Sequence, residues 1–188
     1  MVTKIYRYKQ FGNIYKRNLL LYSSPGNGKT SIINLIIDDL IKNQDGFVLR
    51  IKNVEDLNNY NNFIKIIKVI EPNRNIIVVM EDFEDLVRKI DSESLLLNIL
   101  DGVNQTENVL ILATTNYPER LEERYLNRPT RFNRVIEYPK PDEKVREFYI
   151  RKKLNKSGIQ ISDEKILEYV NLTKQFTMDH LKEFLQMI

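Results

Sequence analysis

An apolar run, Leu19-Leu20-Leu21-Tyr22, breaks into Ser23-Ser24-Pro25-Gly26-Asn27-Gly28-Lys29-Thr30 and then into a helical pattern. Two glycines, a lysine and a hydroxyl in that order suit a loop that wraps phosphate. Backbone N–H groups curl round the phosphates, Lys29 reaches the β and γ oxygens, and the Thr30 hydroxyl binds Mg²⁺. The helix beginning at Lys29 adds its positive N-terminal end. The phosphate-binding set is therefore Ser24, Pro25, Gly26, Asn27, Gly28, Lys29, Thr30 and Ser31. Ser23 stands where the pattern G-x-x-x-x-G-K-[ST] has its first glycine. The alternative for this segment alone is a solvated turn between a strand and a helix.

A second group of candidates follows the apolar run Ile76-Ile77-Val78-Val79-Met80. It is the acidic stretch Glu81-Asp82-Phe83-Glu84-Asp85, whose alternative is a solvated strand end leading into a helix N-terminus. A third candidate, Asn116, closes Val109 to Ala113 through Thr114-Thr115; an ordinary Asn-x-Pro turn with Pro118 is its alternative.

The elements that must hold these groups alternate. The strands are Leu19 to Tyr22, Phe47 to Ile51, Ile76 to Met80, Val109 to Ala113 and Arg134 to Tyr138. Helical spacing runs from Thr30 to about Asn43 and from Ser94 to Leu100, and through Phe63, Ile64, Ile66, Ile67 and Ile70. Asp56 to Tyr60 reads as a polar loop or a helix start, and Tyr60 as a packing residue. Alternation of this kind predicts an α/β fold with a five-stranded parallel sheet, and ligands then sit at the carboxyl ends of strands, where all three groups fall. Pro139-Lys140-Pro141 marks a boundary between a core, residues 1–138, and a helical appendage, residues 139–188. The appendage has helices over Asp142 to Leu154, Asp163 to Thr173 and Thr177 to Met187. The apolar ending Met187-Ile188 implies that the appendage is partial or packs on something else.

With 188 residues the chain can bury a real core. A net charge of +3, from 29 basic and 26 acidic residues, is too mild to require nucleic acid or an anionic membrane. There is no cysteine, and the single histidine, His180, cannot build a zinc site. No apolar run reaches the roughly 18 residues of a membrane span, so an intracellular, cytoplasmic protein is the default expectation.

Taken in order, Leu19-Leu20-Leu21-Tyr22 with its loop, Glu81-Asp82, Leu97-Asn98-Ile99-Leu100-Asp101-Gly102, Ala113-Thr114-Thr115-Asn116 and Arg128-Pro129-Thr130-Arg131-Phe132-Asn133-Arg134 resemble the successive motifs of the AAA family of ring-forming ATPases. Within it, Phe11-Gly12-Asn13-Ile14-Tyr15-Lys16-Arg17 and the order Glu-Asp, where most members have Asp-Glu, look most like the branch of the mitochondrial Rieske-protein translocase.

The resemblance implies a P-loop three-layer α-β-α domain followed by a helical lid, with ATP and Mg²⁺ bound. It also implies self-assembly into a hexameric or similar ring and a protein substrate or adaptor, nucleic acid being less favoured. By resemblance Glu81 supports Mg²⁺ with Thr30, Asp82 polarises the attacking water and Asn116 holds it, while Arg128 and Arg131 point into the next subunit's site. Glu81 and Asp82 exchanging duties is the open alternative, because Asp is one methylene shorter. Gln175-Phe176-Thr177-Met178-Asp179-His180-Leu181 is similar to the family's lid phrase, except that Met178-Asp179 replaces a small Gly-Ala pair.

Overall fold

The computed structural model describes residues 17–90, 93–102, 107–126, 128 and 131–188. The phrase Phe11 to Lys16, and Pro129 and Thr130 of the arginine motif, lie outside the described residues. By their contacts the described residues divide into two units, one of 17–22 with 30–137 and one of 23–29 with 138–188.

The first unit is built on five strands: β1 (Arg17–Tyr22), β2 (Phe47–Arg50), β3 (Ile76–Met80), β4 (Val109–Thr115) and β5 (Arg134–Glu137). All pairings are parallel, in the order β2-β3-β4-β1-β5. Its helices are α1 (Lys29–Gln44), α2 (Val54–Ile70), α3 (Phe83–Lys89), α4 (Glu93–Asp101) and α5 (Glu123–Leu126).

The period of two along each strand sorts side chains to opposite faces of the sheet. Leu20, Ile76, Val78, Met80, Ile111 and Ala113 pack with Leu57, Tyr60 and Ile64 of α2, Leu86 of α3 and Leu96 of α4. On the other face Leu21, Ile77, Val79 and Leu112 pack with Ile33, Ile37 and Leu40 of α1. Helices therefore cover both faces, which is why the central strands read as unbroken apolar runs.

Several boundaries move for local reasons. The polar stretch after β2 is the first turns of α2: Asn53 caps it, accepting the Asp56 N–H at 2.8 Å. β1 begins at Arg17 and β4 continues through Thr114 and Thr115, because register with neighbouring strands extends a strand past its apolar stretch. Tyr60 is buried in the core as expected, and burial pushes its phenol up to about 12.

The second unit carries α6 (Glu143–Lys156), α7 (Asp163–Leu172) and α8 (Met178–Phe184), capped by Asp142, Ser162 and Thr177. Ile150, Leu154, Ile166, Val170 and Leu181 form its core. His180 is an ordinary helix residue, with Nδ1 3.0 Å from Thr177 Oγ1 and its ring beside Phe176. Among the described residues no helix is long and apolar enough to cross a membrane.

Candidate functional site

The residues singled out by type and spacing fall into three groups, each inside one unit. The loop belongs to the second. Gly26 (φ +79°) and Gly28 (φ +91°) both lie in the left-handed region that glycine enters without steric cost. A Cβ on Gly26 would lie 3.0 Å from Thr177 Oγ1 and 3.2 Å from Asp179 Oδ2. The Asp179 N–H also donates to the Gly26 carbonyl at 3.0 Å, so the start of α8 backs the loop there despite the larger Met178-Asp179 pair. Ser24 and Pro25 are exposed, and Asn27 is buried with its Oδ1 lacking a partner. Lys29 is buried too. Its Nζ donates to the Ser23 carbonyl at 2.9 Å, to Ser23 Oγ at 3.0 Å and to the Ser24 carbonyl at 3.5 Å.

The second group sits at the carboxyl ends of β3 and β4 in the first unit. The Thr30 hydroxyl, in the first turn of α1 next to exposed Ser31, donates to Glu81 Oε2 at 2.8 Å. The other oxygen, Oε1, accepts from Arg50 NH1 at 2.5 Å. Asp82 is left-handed (φ 49°, ψ 55°), which costs a non-glycine residue on the order of 1–2 kcal/mol. The turn is fixed on both sides. The Asp82 N–H donates to Thr114 Oγ1 at 3.4 Å, and the next residue, Phe83, is fully buried edge-on to Tyr125 and Phe132. Asn116 Nδ2 donates to Asp82 Oδ1 at 3.2 Å, while its backbone N–H donates to Glu84 Oε1 at 3.2 Å. Glu84, only 4 % exposed, thus steadies Asn116 from beneath.

The two arginines form the third group, on Asp101 at the end of α4. Arg131 is 5 % exposed and makes a two-pronged pair, Nε to Oδ1 at 3.0 Å and NH2 to Oδ2 at 2.9 Å. Its NH1 donates to the Arg124 carbonyl at 2.6 Å, and its own carbonyl accepts from Asn18 Nδ2. Arg128 is the exposed member, its side chain 63 % accessible and 3.7 Å from Asp101 Oδ2.

Oxygen donors suit Mg²⁺, which keeps several waters and takes one or two protein oxygens beside those of phosphate. The Thr30 hydroxyl and the Glu81 carboxylate, already 2.8 Å apart, fit that requirement. Among the described residues no three His, Cys, Asp or Glu side chains are grouped to hold a metal unaided. Type and spacing missed Arg50, and they placed Glu84 and Asp101 inside motifs without giving either a partner. The signal for Arg50 was its position at a strand end.

A parallel sheet of this order, with a glycine loop between β1 and α1 and carboxylates at the end of β3, defines a P-loop nucleotide-binding domain. Residues 19–140 match the model of the ATPase family associated with various cellular activities (AAA), and the chain belongs to that family. The chain is 30% identical over 72% of its length to an AAA ATPase forming ring-shaped complexes from Corynebacterium jeikeium (strain K411), of which it covers 30%. It is 32% identical over 86% of its length to the vesicular-fusion protein SEC18 of Candida albicans, covering 23% of that protein. To the probable 26S proteasome regulatory subunit 4 of Caenorhabditis elegans it is 29% identical over 74% of its length, covering 34%. The chain therefore spans about a quarter to a third of the length of these relatives.

Proposed function

We propose that this chain hydrolyses ATP with Mg²⁺ as the motor part of an oligomeric ring, hexameric or similar, that remodels or translocates a protein. The observation that carries the reading is the different partnering of two adjacent carboxylates. Glu81 is joined to the Thr30 hydroxyl and Asp82 to the Asn116 amide.

Phosphoryl transfer to water is catalysed mainly by positioning and by neutralising charge. Magnesium, when bound, supplies neutralisation at the phosphate oxygens. Thr30 and Glu81 would hold it. Lys29 and the backbone of residues 24–31 would bind the phosphates, which requires the lysine to exchange its bonds to Ser23 for phosphate oxygens. Asp82 would take the role of polarising water, with Asn116 fixing the direction of its carboxylate. Arg128, exposed, is suited to reach a neighbouring subunit, whereas Arg131 is suited to hold the segment that presents it. Residues 139–188 we take to be the lid of this motor. Within the family we favour the branch of the Rieske-protein translocase, on the Glu81-Asp82 order and the phrase Phe11 to Arg17.

A protein substrate is favoured over nucleic acid by the named relatives, one acting in vesicular fusion and one in the proteasome. Stimulation of hydrolysis by unfolded protein rather than by single-stranded DNA is the expected result.

The site itself is tested by substitution. Lys29→Ala should abolish ATP binding, and unchanged affinity would reject the loop. Asp82→Asn should keep ATP bound and lower turnover about 100-fold or more. If Glu81→Gln alone has that effect, the two carboxylates have exchanged roles.

A further inference from the structure

We infer that Arg50 competes with the divalent cation for Glu81 and so sets the Mg²⁺ concentration at which the site works. The inference rests on the nucleotide reading above and adds to it a residue outside every motif.

Both oxygens of Glu81 are engaged, Oε2 by the Thr30 hydroxyl and Oε1 by Arg50 NH1 at 2.5 Å. The second guanidinium nitrogen, NH2, donates to Asn34 Oδ1 at 2.9 Å, one turn along α1 from Thr30. Arg50 ends β2 and Glu81 follows β3, its neighbour in the sheet, so parallel pairing of Arg50 with Val79 brings the two within reach. Glu81 is one methylene longer than an aspartate, and that reach lets one carboxylate touch both Thr30 and Arg50. A guanidinium directly on the carboxylate neutralises it and repels a second cation at the same group. Its side chain is about one-third exposed, 34%, and a polar cavity of about 380 Å³ lies beside the pair, lined by Arg50, Lys52, Glu81, Asp82, Asp85 and Lys89. The guanidinium can swing off Glu81 into this space without entering the core.

Arg50 is thus a positioning residue. It holds the Glu81 carboxylate toward Thr30 while the site is empty of cation, and yields when Mg²⁺ concentration is high enough.

The test is a Mg²⁺ titration of binding by a fluorescent, non-hydrolysable ATP analogue, without reference to turnover. In the wild type, binding in EDTA reports the loop, and the Mg²⁺-dependent rise reports Glu81 and Thr30. Arg50→Met, which removes the charge and keeps the stem, should lower the half-maximal Mg²⁺ concentration about tenfold. It should leave affinity in EDTA within about twofold. Arg50→Lys, which keeps the charge, should stay within about threefold of wild type in both. If Arg50→Met does not fold, Asn34→Ala removes only the exposed anchor of the guanidinium and should lower the same half-point about threefold. An unmoved or raised half-point in a folded variant that still binds the analogue overturns the role of Arg50 alone. A wild type that binds no analogue, with or without Mg²⁺, overturns the nucleotide reading and this inference with it.

Discussion

Lys29 donates to the two residues at the mouth of its own loop, and one acceptor there is the side chain that stands in place of a glycine. A bond to a charged group contributes more than a neutral one, so the Ser23 hydroxyl stabilises the lysine in its folded-back position. Ser23→Gly and Ser23→Ala should both tighten ATP binding about fivefold, roughly 1 kcal/mol, by equilibrium titration. A gain in the glycine variant only would assign the effect to backbone freedom instead. The lysine, the glycines and the acidic pair were legible from types and spacing, because each motif is short and its chemistry is local. The hydroxyl contact was not. Ser23 reads in sequence as a departure from a pattern, and only the course of the loop turns its Oγ toward Nζ. Arg50 was invisible for a related reason, since its partner lies just beyond the end of another strand.

At the level of elements, two features make separate predictions. The segment that carries the arginines is held to α4 and β1 by Arg131, which is buried, paired through two bonds with Asp101, and bonded through its carbonyl to Asn18. Removing one partner of such a pair leaves an uncompensated charge. Asp101→Asn should therefore destabilise the fold by about 2–3 kcal/mol in urea unfolding, whereas Arg128→Ala, at an exposed side chain, should change stability by less than about 0.5 kcal/mol. The second feature is α2, whose Tyr60 phenol is raised to about 12 against an ordinary value of 10.0. Folding favours its neutral form, so this contribution is whole below pH 10 and is lost as pH climbs toward 12. Tyr60→Phe should move alkaline unfolding to higher pH. The five parallel strands followed from their apolar runs and from alternation with helices. The start of α2 did not, because Glu55, Asp56, Asn58 and Asn59 blur the period, and the cap at Asn53 was the better signal.

For the whole molecule, the proposal that neighbouring subunits complete one another can be tested by mixing. Arg128→Ala and Lys29→Ala chains should each be inactive alone, yet together regain up to about a quarter of wild-type turnover, each supplying what the other lacks. No recovery at any ratio counts against a shared interface. Light scattering with and without ATP should show larger assemblies when nucleotide is present. Mixtures of this kind also call for a subunit that holds ATP without consuming it, and the left-handed backbone at Asp82 dictates which replacement can serve. Asparagine accepts φ near 49° about as readily as aspartate, whereas alanine or glutamate there would strain the turn that seats Phe83. An inert subunit made with asparagine is a blocked copy of the native chain, whereas one made with alanine carries added backbone strain at that turn, so poisoning curves from the two are not interchangeable.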